Sequence, residues 1–523
     1  MSSVVEEAAA SAKALVPEAL ERLADYVAIP AVSSDPEQAS AVRRMAALAE
    51  EDLRAAGLDA VEVIEIEGAL PCVRAEKIVD PELPTVLIYG HFDQQPFEAE
   101  LWESPPNELT RRGDRLYGRG SADDLGGWLS QVTAFRAWEA HGGCPLNVRF
   151  LLEGEEEIGS PNLERYMETF PDAFDADVMV LTDCDNPSSE VAGLTVSLRG
   201  LLEFDVKVSA LAAKVHSGLW GGALPDVAVG LCKVISALVT ERGRVVGLDG
   251  PDVSNSWRAQ VSELSPSDDD LRRDAGLRDD VPGLDPGGRP RVEWLWRRPH
   301  LTVIATTLPT MGQAANVLLP DASARLSVRL APGQSADEAF EHLEGLINEA
   351  VPFGLSCELT RNVSSEGWSY EAIGPAFDAA ERAYRRAFGA DLVRIGVGGS
   401  IPFITMFAER FPETPLILNG VMDPRTSAHG PNESLHVGLF EKVVLANVYL
   451  LQELAETLTK EAAKEAAAAE EDEAPSEEAP AEQAPAEQAP GEQASEEAPS
   501  AEAAPVEAAP EGASPQEAPE PAE

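Results

Sequence analysis

His91 and Asp93 in TVLIYGHFDQQP, Asp123 and Asp124 in LYGRGSADDLGG, Glu153, Glu155, Glu156 and Glu157 in NVRFLLEGEEEIGS, Asp183 and Asp185 in DVMVLTDCDN, and His429 in RTSAHGPNESL are the side chains whose types and spacing suit chemistry. Most of them follow a run of β-branched and large apolar residues or a glycine-rich turn, which is where α/β folds gather their ligands. Singly, each has a plain structural reading. Acids at a helix start complement its dipole, an acidic run is solvated surface, and a lone histidine is hydrogen-bonded. Jointly the balance reverses, because several carboxylates aimed at one sheet edge repel one another unless cations sit among them. Carboxylates mixed with imidazoles suit zinc or manganese. Two such ions sharing one carboxylate and a water sit ~3.5–4 Å apart and lower the pKa of that water from about 15.7 toward ~7, making it a nucleophile at neutral pH. One further carboxylate, off the metals, then serves as general base. Asp93 lies on the same face of an extended chain as His91 and is placed to hold its imidazole. Asp183 and Asp185 also share a face, so chemistry alone does not choose between them as ligands, and Cys184 points the other way.

The elements that must position these residues alternate. VPEALERLADYVAI and SAVRRMAALAEEDLRAAG have helical periodicity, whereas AVEVIEIEG, TVLIYG, NVRFLLEG and DVMVLTD read as strands, and ADDLGGWLSQVTAFRAWEAHG reads as a long helix. That is a doubly wound, mostly parallel-sheet α/β pattern. From about Leu194 the texture becomes strand, helix, strand, strand, helix, strand, the layout of a split βαβ (ferredoxin-like) α+β domain. SDDDLRRDAGLRDDVPGLDPGGRP, polar and rich in Gly and Pro, interrupts it as an excursion loop. After about Ser364 the helix PAFDAAERAYRRAF and the strand PLILNGV resume the first texture, so the second domain is inserted in the first. The expected division is 1–192 and 364–459 for the catalytic domain, 193–363 for the insertion, and 460–523 for a tail.

The chain has 523 residues, 44% of them hydrophobic, and a formal net charge of −51. So acidic a protein is not expected to bind nucleic acid, which needs patches of Lys and Arg. The segment Lys460–Glu523 holds 19 of the 91 acids and 2 of the 40 Lys and Arg, leaving the remainder at −34. That segment, with its AEQAP repeats, lacks the apolar side chains needed to offset chain entropy and reads as a disordered, solubilising tail. Cys72, Cys144, Cys184, Cys232 and Cys357 show no CxxC spacing, which argues against a disulfide frame or a thiolate zinc site. With acids where a signal peptide needs basic residues, and no run of ~18 apolar residues, the expected location is cytoplasmic, without a membrane span.

YGHFDQQP, LYGRGSADD, EGEEEIGS, SLRG, VHSGLWGG, NVLLP, RLAPGQ, GGSIPF and SAHGPNES occur in this order. In this the chain resembles the dizinc amidohydrolase and peptidase family that includes carnosinase, cytosolic non-specific dipeptidase, carboxypeptidase G, aminoacylase and succinyl-diaminopimelate desuccinylase. The resemblance spans about residues 15 to 458, and LWESPPNELTRRGDRLYGRG is most similar to the dipeptidase branch. It implies that His91, Asp123 and Asp183 bind one metal and Asp123, Glu157 and His429 the other, with Asp123 the bridge and a cis peptide bond after it. Spacing to SLRG in that branch favours Asp183 over Asp185. Asp93 would clamp His91, and Glu156 would be the base. His216 in VHSGLWGG would donate to the oxyanion from the partner subunit of a dimer formed through the inserted lid domain. Arg329, Asn316, Gly398, Gly399 and Ser400 would bind the substrate and its carboxylate.

The dipeptidase branch usually has DDKG and REGGS where this chain has Asp123-Asp124-Leu125-Gly126 and Gly396-Val397-Gly398-Gly399-Ser400. No metal ligand is lost, but charges are missing from the pocket. The expected activity is two-metal hydrolysis of the peptide bond of dipeptides or small peptides, with two Zn2+ ions, or Mn2+ or Co2+ in their place. An N-acyl amino acid deacylase with the same site is the alternative, and a catalytically silent binding protein is the alternative of another class.

Overall fold

The computed structural model describes residues 2–399 and 402–473. Taken in chain order, the strands of the two larger sheets begin with β1 (Ala60–Ile64), β2 (Cys72–Lys77), β3 (Thr85–His91), β4 (Asn147–Glu153) and β5 (Val178–Leu181). They are followed by β6 (Gly200–Ser209), β7 (His300–Thr306), β8 (Asp321–Leu330), β9 (Ser356–Ser365) and β10 (Leu416–Leu418). Strands β1 to β5 and β10 form one sheet in the order β1-β2-β4-β3-β5-β10. Its four strands from β4 to β10 are parallel, and β1 and β2 run antiparallel at one edge.

Alternation decides what the sheet buries. Val86 and Ile88 of β3, Val148, Phe150 and Leu152 of β4, and Val178 and Val180 of β5 face one apolar cluster, while Leu87, Tyr89, Leu151, Met179 and Leu181 face another. Both faces are covered, so these strands read as continuous apolar runs, as parallel strands do. The first cluster takes in the helices Ser2–Val27, Ala39–Ala56, Leu125–Glu139 and Pro375–Phe388. Leu125–Glu139 is buried nearly all round, with Trp128, Ala134, Phe135 and Ala137 at 0% exposure, which is why its sequence shows so little polar face.

Strands β6 to β9 form a second, wholly antiparallel sheet in the order β7-β8-β6-β9. Helices Val227–Ala237 and Ala336–Ala350 cover one face of it, and Leu231, Val234, Leu343 and Ile347 close a separate core against Phe204, Val206, Leu326 and Val328. This is the expected split βαβ arrangement set into the doubly wound domain. Gly193–Leu198 pairs in parallel with Val393–Val397, so the chain enters and leaves the insertion through neighbouring strands.

Two expectations are corrected. The excursion is not a plain loop: Asp268–Ala275 is a helix, capped by Ser267, whose side chain and that of Asp270 bond each other's backbone N–H groups. The last helix, Val437–Glu473, runs past Lys460, where KEAAKEAAAAEEDE is built from strong helix formers. The rest of the expected tail, 474–523, lies outside the described residues.

Candidate metal centre

Three parallel strands and two loops deliver the polar side chains to one edge. β3 ends at His91, which pairs with Glu153 at the end of β4. Two residues beyond β5 comes Asp183. Asp123 sits in the turn before Leu125–Glu139, followed by a cis peptide to Asp124. Gly90 is needed for this approach, since a Cβ there would lie 2.6 Å from Asp124 Oδ2 and 2.7 Å from Thr182 Oγ1. Thr182 donates to Asp124 at 2.6 Å, fixing that carboxylate beneath the site.

The ligand-type atoms fall into two groups, each within 4.8 Å: His91, Asp123 and Asp183, and Asp123, Glu157 and His429. Asp123 belongs to both. Its Oδ1 is 3.2 Å from His91 Nε2 and its Oδ2 is 3.1 Å from His429 Nε2. His91 Nε2 is 3.9 Å from Asp183, and His429 Nε2 is 3.2 Å from Glu157. His91 is wholly buried, whereas His429 has a side-chain exposure of 59%, so the second group opens toward solvent. Asp93 lies against the Nδ1 side of His91. Its backbone oxygen is 3.1 Å and its carboxylate 3.4 Å from His91 Nδ1, and the carboxylate also accepts from the N–H groups of Glu156 (3.2 Å) and Glu157 (3.0 Å).

The remaining acids sort themselves by their partners. Glu155 accepts from Leu70 N and Asn162 Nδ2, and Glu153 from Tyr89 and Ser160, so both are structural. The Glu156 carboxylate accepts no hydrogen bond among the described residues; its ion-pair contact is His91 Nε2 at 3.9 Å. Asp185 stands apart from both groups, in an isolated bridge with Met422, and Cys184 packs in the second apolar cluster. Accordingly, Asp183→Asn is expected to weaken binding of one ion by more than about 100-fold, while Asp185→Asn keeps two; a metal count after dialysis separates them.

Burial pushes Glu156 and Asp183 well above the carboxylate range and raises Glu157, and in each case neighbouring carboxylates add to the shift. Burial would lower His91, but hydrogen bonding to Asp123 and Asp93 raises it well above the usual value. His429, bonded to Asp123 and Glu157, is pushed up to about 11. Carboxylates crowded out of water around two imidazole Nε2 atoms form a donor set that divalent cations relieve. The residues present therefore fit a two-ion centre.

The sequence pattern of the peptidase family M20/M25/M40 matches residues 87–457, from within β3 to within the last helix. The chain belongs to that family. It is similar to the cysteinylglycine-S-conjugate dipeptidase of Corynebacterium striatum, with 32% identity over 421 residues covering 80% of this chain and 91% of that one. It is also similar to the Beta-Ala-His dipeptidase of Rattus norvegicus, with 27% identity over 452 residues covering 80% and 89%. Among solved structures, human carnosine dipeptidase 1 matches with a TM-score of 0.74 at 25% identity, over 87% of this chain and 99% of that one. Dug1p of Saccharomyces cerevisiae has the same fold, with a TM-score of 0.74 at 24% identity over 87% and 99%.

The other expected site residues of this M20/M25/M40 chain form two further groups. His216 is exposed, its Nδ1 accepting from Gly218 N at 3.0 Å, and it pairs with Val317 beside Asn316. No hydrogen bond or ion pair among the described residues joins His216 to the two metal-ligand groups. Arg329 is half-buried in β8, near Arg199, which donates to Gly398 O at 2.9 Å. Gly399 follows Gly398, and Ser400 lies outside the described residues. Gly396, one of the departures from the usual motif, has a packing reason: a Cβ there would lie 2.7 Å from Cβ of Trp296, in the helix Arg291–Trp296 that follows the excursion. Leu125, another departure, is buried at 0%.

Sequence reasoning missed several supports. Gln95 holds the Glu157 carboxylate with its N–H (3.1 Å) and its side-chain amide (2.9 Å). Arg119 and Glu433 form a buried pair beside the Asp123 turn. All three lie within motifs read from the sequence, YGHFDQQP, LYGRGSADD and SAHGPNES, so proximity to a ligand was the available signal.

Proposed function

We propose that this protein is a two-metal dipeptidase: it hydrolyses the peptide bond of a small substrate with a free carboxylate. The observation that carries this reading is the pair of ligand groups sharing Asp123, in a chain whose relatives are named dipeptidases. His91, Asp123 and Asp183 would hold one ion and Asp123, Glu157 and His429 the other, with zinc the first choice for this donor set and manganese or cobalt able to replace it. When bound, such ions supply positive charge that acidifies a water and polarises a carbonyl. Glu156, beside the ligands but outside both groups, takes the proton of the attacking water and returns one to the leaving amine. Arg329 and the backbone of Gly398 and Gly399 face the substrate carboxylate. Release of amino acids from a panel of dipeptides and N-acetyl amino acids tests the substrate class. Cleavage of dipeptides supports the proposal, and turnover confined to N-acetyl amino acids replaces it with deacylation.

His216 and Asn316 reach the site from a second copy of the chain, joined through the inserted domain, where His216 donates to the developing oxyanion. The exposure of His216 and the lack, among the described residues, of any hydrogen bond or ion pair from it to the ligand groups support this. If it holds, mixing inactive His216→Ala with inactive Glu156→Gln restores turnover, since about a quarter of the sites in a randomly exchanged two-fold dimer combine an intact Glu156 with an intact His216. No recovery after subunit exchange has been verified would place His216 in its own chain's site. The catalytic domain is read as 1–192 with 364–459 and the insertion as 193–363. The five cysteines are free, which fits a reducing cytoplasm, and among the described residues no helix is long and apolar enough to cross a membrane.

A further inference from the structure

We propose that the Arg119–Glu433 ion pair is a positioning clamp for the second ion: Glu433 fixes the turn that carries Asp123, Arg119 fixes the loop that carries His429, and their bond sets the distance between the two ligands. The proposal rests on the reading that Asp123, Glu157 and His429 hold one of two ions.

Glu433 is buried at 0% and Arg119 at 2% exposure. A carboxylate taken out of water is costly unless donors surround it, and here four do. Oε2 accepts from Arg119 Nη1 at 2.8 Å and Gly120 N at 2.9 Å, while Oε1 accepts from Ala122 N at 3.1 Å and Asp123 N at 3.3 Å. Three of the four are peptide N–H groups of the turn that ends in Asp123. Arg119 turns its other terminal nitrogen to His429 O at 3.1 Å and Pro96 O at 3.2 Å. The pair therefore touches the backbone of both residues that face each other across the second ion group.

The His429 loop needs such a hold. Ser427 (φ 58°), His429 (φ 63°) and Asn432 (φ 61°) all lie in the left-handed region without being glycine. Such conformations persist only where surrounding contacts enforce them.

A plain fold-closing role is the competing explanation, and the molecule supplies its own control. Arg115 and Asp423 form another buried pair, at 2.8 and 3.0 Å, and Arg115 also bonds Ser434. That pair ties neighbouring segments together without bonding any ligand residue.

Glu433→Gln keeps the shape but leaves one acceptor and places an amide NH2 against N–H donors. The turn must then shift or leave donors unsatisfied. The test is calorimetric titration of the full, chelator-stripped protein with zinc, with a metal count after dialysis and a melting curve of each metal-free variant. Wild type is expected to take two ions. Glu433→Gln should bind the first within about threefold of wild type and the second about 10–100-fold more weakly. Arg119→Lys, whose single ammonium cannot serve both Glu433 and His429 O, should show the same selective loss and carries the test should Glu433→Gln fail to fold. Asp423→Asn should lower the melting temperature yet bind both ions as wild type does. Two ions bound normally in both clamp variants, or both ions weakened equally, would overturn the clamp. Wild type that takes fewer than two ions would overturn the underlying metal reading, and the clamp with it.

Discussion

Glu156→Gln is expected to lower kcat by about 10²–10⁴-fold, the usual contribution of a positioned general base, with two ions still bound. The substitution is nearly isosteric and removes only the ability to take a proton. Glu156 lies outside both ligand groups, with His91 Nε2 as its ion-pair contact at 3.9 Å, so the ions keep their ligands. Its backbone N–H remains on Asp93, so the turn that also carries Glu157 keeps its anchor. The expected signature is a fall in kcat with KM and metal content close to wild type. Loss of metal together with activity would show that Glu156 is a ligand, and unchanged kcat would remove it from the mechanism.

Asp123→Asn should have the wider effect. The two carboxylate oxygens face different partners, Oδ1 toward His91 and Oδ2 toward His429, at 3.2 and 3.1 Å. An asparagine offers one oxygen and turns an NH2 toward the other position, where it repels both a cation and a protonated imidazole. At least one ion is expected to bind more than about 100-fold more weakly, with turnover falling to background. Metal analysis after dialysis, beside rates measured with zinc in excess, checks this. Full occupancy by two ions in Asp123→Asn would mean that Asp123 is not shared.

Much of this was legible in the sequence, for identifiable reasons. Parallel strands buried on both faces leave uninterrupted apolar runs, so β3, β4 and β5 announced themselves and their C-terminal ends located His91, the glutamate turn and Asp183. The split βαβ order likewise survives in the alternating burial of β6. The choice between Asp183 and Asp185 did not follow from side-chain parity, because β5 ends at Leu181 and the chain then pairs Asp185 with Met422. Glu433 and Arg119 were unreadable as a pair because their side-chain ion pair joins segments far apart in the chain, and their further bonds go to backbone, which leaves no mark on composition or period. The excursion reads as loop from its Gly and Pro content, although Ser267 and Asp270 hold a capping box. The helix beyond Lys460 was masked by acidic composition, where propensity alone favours continuation.

The measurement that bears most directly on a two-metal dipeptidase is a zinc titration of stripped protein, followed by amino acid release from the preferred dipeptide. No turnover without metal, and rates that rise to a plateau as two ions per chain are filled, is the expected result. Turnover that survives complete stripping, or that is already maximal with one ion bound, would contradict it.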